Sequence, residues 1–69
     1  MGEKDQTGVI KVYYPVKGYG FISRTAGRDV FFYRTSAEKE ESLIEGSTVR
    51  FNLESTPKGP KAINVVRVS

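Results

Sequence analysis

The chain has 69 residues, a formal net charge of +3 and no Cys or His. Missing Cys excludes disulfides and thiolate zinc sites, and missing His removes the commonest metal ligand and general base. We therefore expect one small domain with no cofactor, no bound metal and no enzymatic activity.

The chain begins with the polar stretch MGEKDQTG, which has no apolar segment of the kind that secretory signals carry. No apolar run in the sequence reaches the length of a membrane span. We expect residues 1–6 to be flexible, because they are polar and terminal, and residues 7–69 to form the domain. The sequence thus predicts a cytoplasmic protein that does not bind membranes.

Segments rich in β-branched and aromatic residues are separated by turn residues at intervals of roughly ten residues, which is typical of a small all-β sandwich or barrel. The five predicted strands are Thr7–Tyr14, Tyr19–Arg24, Asp29–Tyr33, Ser47–Glu54 and Lys61–Val68.

Turn residues account for the ends of these strands. Pro15 ends the first strand, and TAGR at residues 25–28 predicts a tight hairpin turn between the second and third. The segment STPKGP, residues 55–60, separates the fourth strand from the fifth. The one predicted helical piece is TSAEKEES, in which Thr35 and Glu38 have the spacing of a capping box.

Side chains on a strand alternate between its two faces, so the second and third strands can be sorted by parity. Aliphatic Ile22 and Val30 suit the interior and share their faces with Gly20 and Phe32. The predicted core consists of Ile10, Ile22, Val30, Phe32, Val49, Phe51 and Val65. This assignment turns four rings outward together, those of Tyr19, Phe21, Phe31 and Tyr33.

Four exposed rings in so short a chain, flanked by Lys and Arg, indicate a binding surface. Each base of a single-stranded nucleic acid offers a π-face to a ring, while cations meet the phosphates between bases. Gly18 and Gly20 would leave the approach to the rings unobstructed. The alternative is that the rings complete the core or a subunit interface.

The same residues carry a family resemblance. KGYGFI (Lys17 to Ile22) resembles the first ribonucleoprotein motif of the cold shock domain, and DVFFY (Asp29 to Tyr33) is similar to its second. Three further stretches agree with the family: GVIK from Gly8, LIEGSTVRF from Leu43 and KGPKAINV from Lys58. The resemblance implies a five-stranded antiparallel Greek-key β-barrel of the OB type. It also implies that the protein binds single-stranded RNA or DNA, as an RNA chaperone or a regulator of transcription or translation, and we expect a monomer.

The order of motifs separates this family from the RNA recognition motif, which shares the first hexapeptide. In that fold the second motif precedes the first, whereas DVFFY follows KGYGFI here.

The predicted contacts are the four outward rings as stacking platforms, with Lys11 and Lys17 beside them. Lys58 matches a basic family position, and Arg34 and Lys61 are secondary. The predicted nucleic-acid-binding residues are Lys11, Lys17, Tyr19, Phe21, Phe31, Tyr33, Arg34, Lys58 and Lys61.

The chain also departs from the family pattern. Val12 and Tyr13 stand where most members have Trp and Phe, and Tyr14 stands where Asn is usual. Tyr33 replaces a His, and Arg34 replaces an aromatic residue. Because about two stacks are missing, at about 1 to 3 kcal/mol each, we expect weaker binding and a shorter footprint than in a typical member.

Two other functions remain open for the same aromatic patch. An OB-type module can dock a partner protein or an oligosaccharide on such rings. The patch could also serve for dimerisation. Nucleic-acid binding depends on salt because phosphates are neutralised, whereas binding of sugars or apolar protein surfaces does not.

Overall fold

Five strands form in the segments that are rich in β-branched and aromatic residues. In the computed structural model, which describes residues 3–24 and 27–68 and the side chains from residue 6 onward, residues 34–47 form the connection between the third strand and the fourth. The strands are β1 (Glu3–Tyr14), β2 (Tyr19–Ser23), β3 (Val30–Tyr33), β4 (Thr48–Thr56) and β5 (Gly59–Arg67). The all-β prediction with five strands is confirmed.

The largest differences in strand bounds lie at the start of β1 and at the β4–β5 turn. β1 begins at Glu3, because it pairs with β4 as far as Leu53. Residues 1 and 2 lie outside the described residues, so the predicted flexibility of residues 1–6 stays a prediction. Most of the predicted 55–60 loop is strand, since Thr56 pairs with Gly59 across a two-residue turn.

The strands close into a barrel in the order β1-β2-β3-β5-β4. All neighbours are antiparallel except β3 and β5, which pair in parallel through Phe31 and Lys61. This closed five-stranded barrel agrees with the predicted OB-type fold. The predicted turn at residues 25–28 includes residues 25 and 26, which lie outside the described residues.

The interior of the barrel contains the residues that parity assigned to it. Ile22, Val30 and Phe32 are fully buried, and the other four predicted core residues are buried with them. Leu43, Leu53 and Ala62 complete the cluster. The parity prediction for β2 and β3 is therefore confirmed, and the rings on the opposite parity face outward.

A register shift in β1 determines which of two neighbouring tyrosines lies on the outer side of the sheet. The shift lies between Ile10, which pairs with Ile22, and Val12, which pairs with Phe21. Because one residue is bulged, Val12 and Tyr14 share the outer side, whereas Tyr13 lies inward against the Phe32 ring, with 6.0 Å between ring centroids.

Gly20 explains how Tyr13 and Phe32 fit beneath β2. A Cβ at this position would lie 2.3 Å from the Val12 carbonyl oxygen and 2.8 Å from the Phe32 ring. The expectation that Gly20 opens the approach to the outer rings is therefore wrong. Its missing side chain leaves room for core packing.

The predicted helical piece at residues 35–42 is wrong. Two single 3₁₀ turns, Arg34–Ser36 and Glu40–Ser42, stand in its place, and neither has a side-chain cap. Between them Ala37 bridges to Val65, and the Glu38 amide donates to the Val65 carbonyl at 3.0 Å. These backbone groups pair with β5 and therefore cannot form α-helical hydrogen bonds.

Within the described ranges 3–24 and 27–68, no helix is long and apolar enough to cross a membrane.

Candidate nucleic-acid interface

Four rings form a contiguous surface on the outer side of β2 and β3, as parity predicted. Tyr19 pairs with Tyr33 and Phe21 with Phe31 in the backbone register, so the four side chains meet across the two strands. Tyr33 is 47% exposed, and the other three are half-buried. We call Tyr19, Phe21, Phe31 and Tyr33 the aromatic face.

The rings of the aromatic face support one another in fixed orientations. Phe31 is central: its ring centroid lies 4.7 Å from that of Tyr33, 5.6 Å from Phe21 and 5.4 Å from Tyr19. The contacts with Tyr33 and Phe21 are edge-to-face, a geometry that aromatic pairs prefer. The surface is thus preorganised, and a flat ligand meets rings that need little reordering to receive it.

A groove of about 630 Å³ runs between the aromatic face and the β4–β5 hairpin. Phe21, Phe31 and Tyr33 line one side, and residues 56–61 line the other. Barrel closure forms this groove, because β5 pairs with β3 at Phe31 and Lys61.

Two of the predicted basic residues belong to this groove. Lys58 and Lys61 both line it, and the Lys61 ammonium lies 5.2 Å from the centroid of the Tyr33 ring. This distance is within the range of a cation–π contact. Pro57 and Pro60 also line the groove, although their sequence context indicates turn residues.

Lys11 lies on β1 and is exposed, as expected for a phosphate contact. Its ammonium donates to the Asp29 carboxylate at 2.9 Å. This hydrogen bond, together with the charge of Asp29, raises the pKa of Lys11 above its ordinary 10.5. A phosphate at Lys11 would therefore share this cation with Asp29.

Lys17 lies in the turn between β1 and β2 and faces a ring that the sequence prediction missed. Its ammonium is 5.8 Å from the centroid of Tyr14, and the Tyr14 ring is 5.3 Å from that of Tyr19. Tyr14 therefore extends the aromatic face toward this turn. The alternation of residues along β1 could not reveal this, because the register shift reverses its parity after Ile10.

Arg34 follows β3 and is held by the neighbouring loops. Its Nη1 lies 3.3 Å from a carboxylate oxygen of Glu40 and 3.4 Å from the carbonyl oxygen of Pro15. The guanidinium also lies next to Gly18, where a Cβ would be 3.1 Å from Nη2. Gly18 thus accommodates Arg34, and contact between Arg34 and a ligand stays a prediction.

Glu40 also accepts a hydrogen bond from the Tyr13 hydroxyl, at 3.1 Å. Partial burial of the phenol and this hydrogen bond raise the pKa of Tyr13 above its ordinary 10.0. Tyr13 therefore packs on Phe32 and is hydrogen-bonded to residues 38–45, which contain four Glu and which we call the acidic loop. In the described part of the chain, no group of three or more acidic side chains could hold a metal ion.

Comparison with known proteins agrees with this geometry. The model of the 'Cold-shock' DNA-binding domain family matches residues 6–68. The chain is 43% identical over 63 residues to a cold shock-like protein, CspJ, of Salmonella typhimurium, an alignment that covers 87% of this chain and 90% of the relative. It is 42% identical over 65 residues to the cold shock protein CspB of Geobacillus stearothermophilus, covering 91% and 98% of the two chains.

The Retron Se72 cold shock-like protein of Salmonella heidelberg is 42% identical over 66 residues, covering 91% of this chain and 98% of the relative. Family match, relatives, closed barrel and exposed rings all agree with the motifs found in the sequence. The chain belongs to the cold-shock domain family of nucleic-acid-binding proteins.

Proposed function

We propose that this protein binds single-stranded RNA or DNA without catalysing a reaction, by stacking unpaired bases on the aromatic face. The observation that carries the proposal is the continuity of the aromatic face with the groove that Lys58 and Lys61 line. Planar apolar surfaces beside cations suit a polymer in which flat bases alternate with phosphates.

Stacking supplies the main attraction in this proposal. A base stacked on a ring contributes about 1 to 3 kcal/mol, whatever its identity, so the aromatic face favours single strands over paired ones without strong sequence preference. Lys11, Lys17, Lys58 and Lys61 would contact the phosphates. Arg34 is a secondary contact because it already pairs with Glu40.

An RNA chaperone activity follows from this mode of binding. A protein that binds only unpaired bases shifts the pairing equilibrium toward single strands by mass action. Weak RNA structures would therefore melt or fail to form, which also provides a route to regulating transcription or translation. We propose that the protein acts in this way as a monomer in the cytoplasm.

A titration with a pyrimidine-rich heptamer tests the proposal. Amide resonances of residues 19–23 and 30–33 should shift in NMR spectra, because the strand lies on β2 and β3. Affinity should fall with salt with a log-log slope of about −2 to −4, as expected for about three to five neutralised phosphates.

The alternatives give different results in the same experiments. An oligosaccharide or apolar protein partner would bind with almost no dependence on salt. Dimerisation through the aromatic face would appear as concentration-dependent sedimentation that the heptamer suppresses. If the heptamer leaves the amides of β2 and β3 unmoved, the nucleic-acid proposal fails.

A further inference from the structure

Tyr14 lies on the same outer side of the barrel as the aromatic face. The bulge in β1 puts it on the outer side of the sheet, opposite Tyr19 in the backbone register. Its side chain is well exposed, at 41%. Neighbouring Tyr13 has the opposite environment, since it packs on Phe32 and donates to Glu40.

The surroundings of Tyr14 resemble those of the aromatic face in chemistry. The Tyr19 ring meets it at 61° and 5.3 Å, so the contact is an edge contact that does not cover Tyr14 as parallel stacking would. The Lys17 ammonium lies 5.8 Å from the ring centroid. An exposed ring and a cation thus stand together at the end of a row of rings.

The row is continuous from this end of the sheet to the groove. Tyr14 contacts Tyr19, Tyr19 contacts Phe31, and Phe31 contacts Tyr33, each with centroids 4.7 to 5.4 Å apart. Cations stand at both ends, Lys17 at the first ring and Lys61 at the last. A single strand that lies along the row would therefore meet Tyr14 beyond Tyr19.

We propose that Tyr14 and Lys17 form an additional nucleotide subsite at the β1–β2 end of the aromatic face. In this subsite a base stacks on the Tyr14 ring and the adjacent phosphate pairs with the Lys17 ammonium. The proposal rests on the proposed function, because it requires a single strand on the aromatic face. It revises the expectation of a shorter footprint, because the Tyr14 ring supplies one of the two stacking contacts that the departures from the family pattern remove.

A length series of oligonucleotides tests the subsite. Affinities of the wild-type protein and of Tyr14→Ala are measured by fluorescence anisotropy for oligothymidylates of increasing length, about three to eight nucleotides. We expect affinity for the longest oligomer to fall by about 5- to 150-fold in Tyr14→Ala, the range for loss of one stacked base. At one step in the length series, the added nucleotide should increase the affinity of the wild type but not the affinity of Tyr14→Ala.

Three further variants separate a subsite from a disturbance of the fold. Tyr14→Phe keeps the ring and should bind like the wild type. Val16→Ala removes an exposed apolar side chain from the same turn and should leave affinity unchanged. Lys17→Gln should reduce the salt slope by about 0.7, the value for one phosphate contact on a single strand. Urea unfolding of each variant verifies that the barrel is intact.

The outcomes distinguish this proposal from the proposed function. If wild type and Tyr14→Ala gain affinity equally with every added nucleotide, the subsite is overturned while nucleic-acid binding stands. If no oligomer binds the wild type at any length, the proposed function fails and the subsite with it.

Discussion

The inner and outer sides of β2 and β3 both carry aromatic residues, but the inner side buries its ring in the core and the outer side presents its rings to solvent. Phe31 and Phe32 are neighbours in the chain, yet Phe32 is fully buried in the core whereas Phe31 is the centre of the aromatic face. Strand parity alone assigns them to these two sides. The comparison shows that the composition of a strand does not reveal a binding surface until its alternation is considered.

The largest effect is expected on the inner side. Phe32→Ala removes a fully buried ring that Tyr13 stacks upon, so it should lower the free energy of unfolding by about 3–5 kcal/mol. Urea unfolding followed by circular dichroism measures this loss. An unfolding midpoint like that of the wild type would show that Phe32 is not essential to the core.

The matched change on the outer side is Phe31→Ala. It should weaken binding of a pyrimidine heptamer by about 1 to 3 kcal/mol, because a stacking platform is removed. Its free energy of unfolding should fall by less than that of Phe32→Ala, since Phe31 is only half-buried. Unchanged affinity in Phe31→Ala, measured by fluorescence anisotropy, would exclude stacking on this ring.

A smaller effect on binding is expected from breaking the ion pair between Glu40 in the acidic loop and Arg34 at the end of β3. Glu40→Gln removes the charge that pairs with Arg34, which should leave the guanidinium available to phosphates. Both side chains are about half exposed, so heptamer affinity should rise by less than about fivefold, corresponding to about 1 kcal/mol.

Glu41→Gln is the matched control for Glu40→Gln, because it removes the same charge from the adjacent position. The affinity of Glu41→Gln for the heptamer should rise less than that of Glu40→Gln. An equal rise in affinity in the two variants would mean that the change in net charge accounts for it. The ion pair between Arg34 and Glu40 would then have no effect on binding.

The smallest effect is a loss of stability at alkaline pH. Burial of the Tyr13 phenol and its hydrogen bond to Glu40 raise the pKa of Tyr13 above 10.0, and the hydrogen bond to Asp29 raises the pKa of Lys11 above 10.5. Both groups hold their proton more firmly when folded. Their contribution is therefore complete below about pH 10 and is lost as pH rises through the folded pKa values.

Tyr13→Phe tests how much of this loss of stability at alkaline pH comes from the Tyr13 hydroxyl. The variant keeps the ring on Phe32 and removes the titrating hydroxyl, so its unfolding free energy should decrease less steeply above about pH 10 than that of the wild type. Urea unfolding at several pH values measures the slope. The same slope in both proteins would contradict a role for Tyr13 in it.

Much of the site followed from alternation in β2 and β3. The sequence predicted that Ile22 and Val30 lie inside and that Phe21 and Phe31 lie outside, because two short antiparallel strands without an irregularity preserve parity. The family motifs predicted the closed barrel. Lys58 and Lys61 could be connected to the rings only through the resemblance, since barrel closure brings the hairpin to the aromatic face.

The missed features depend on contacts between distant parts of the chain. Tyr14 could not be placed, because the bulge in β1 lies just after Val9, where the strand stops pairing with β4 and continues to pair with β2. The helical prediction failed because the local capping-box pattern around Thr35 could not anticipate that Ala37 bridges to Val65. In both cases tertiary pairing overrides a local sequence signal.

The closure of the barrel has a consequence for how this protein behaves in a concentrated solution. Within the described residues each strand has two neighbours in the sheet, so none of the five is an edge strand along its whole length. Rings that remain wet would otherwise be a hazard beside such an open edge, because they favour self-association and fibril growth. The pairing of β3 with β5 at Phe31 and Lys61 thus closes the sheet beside the aromatic face, which reduces this hazard without covering the rings.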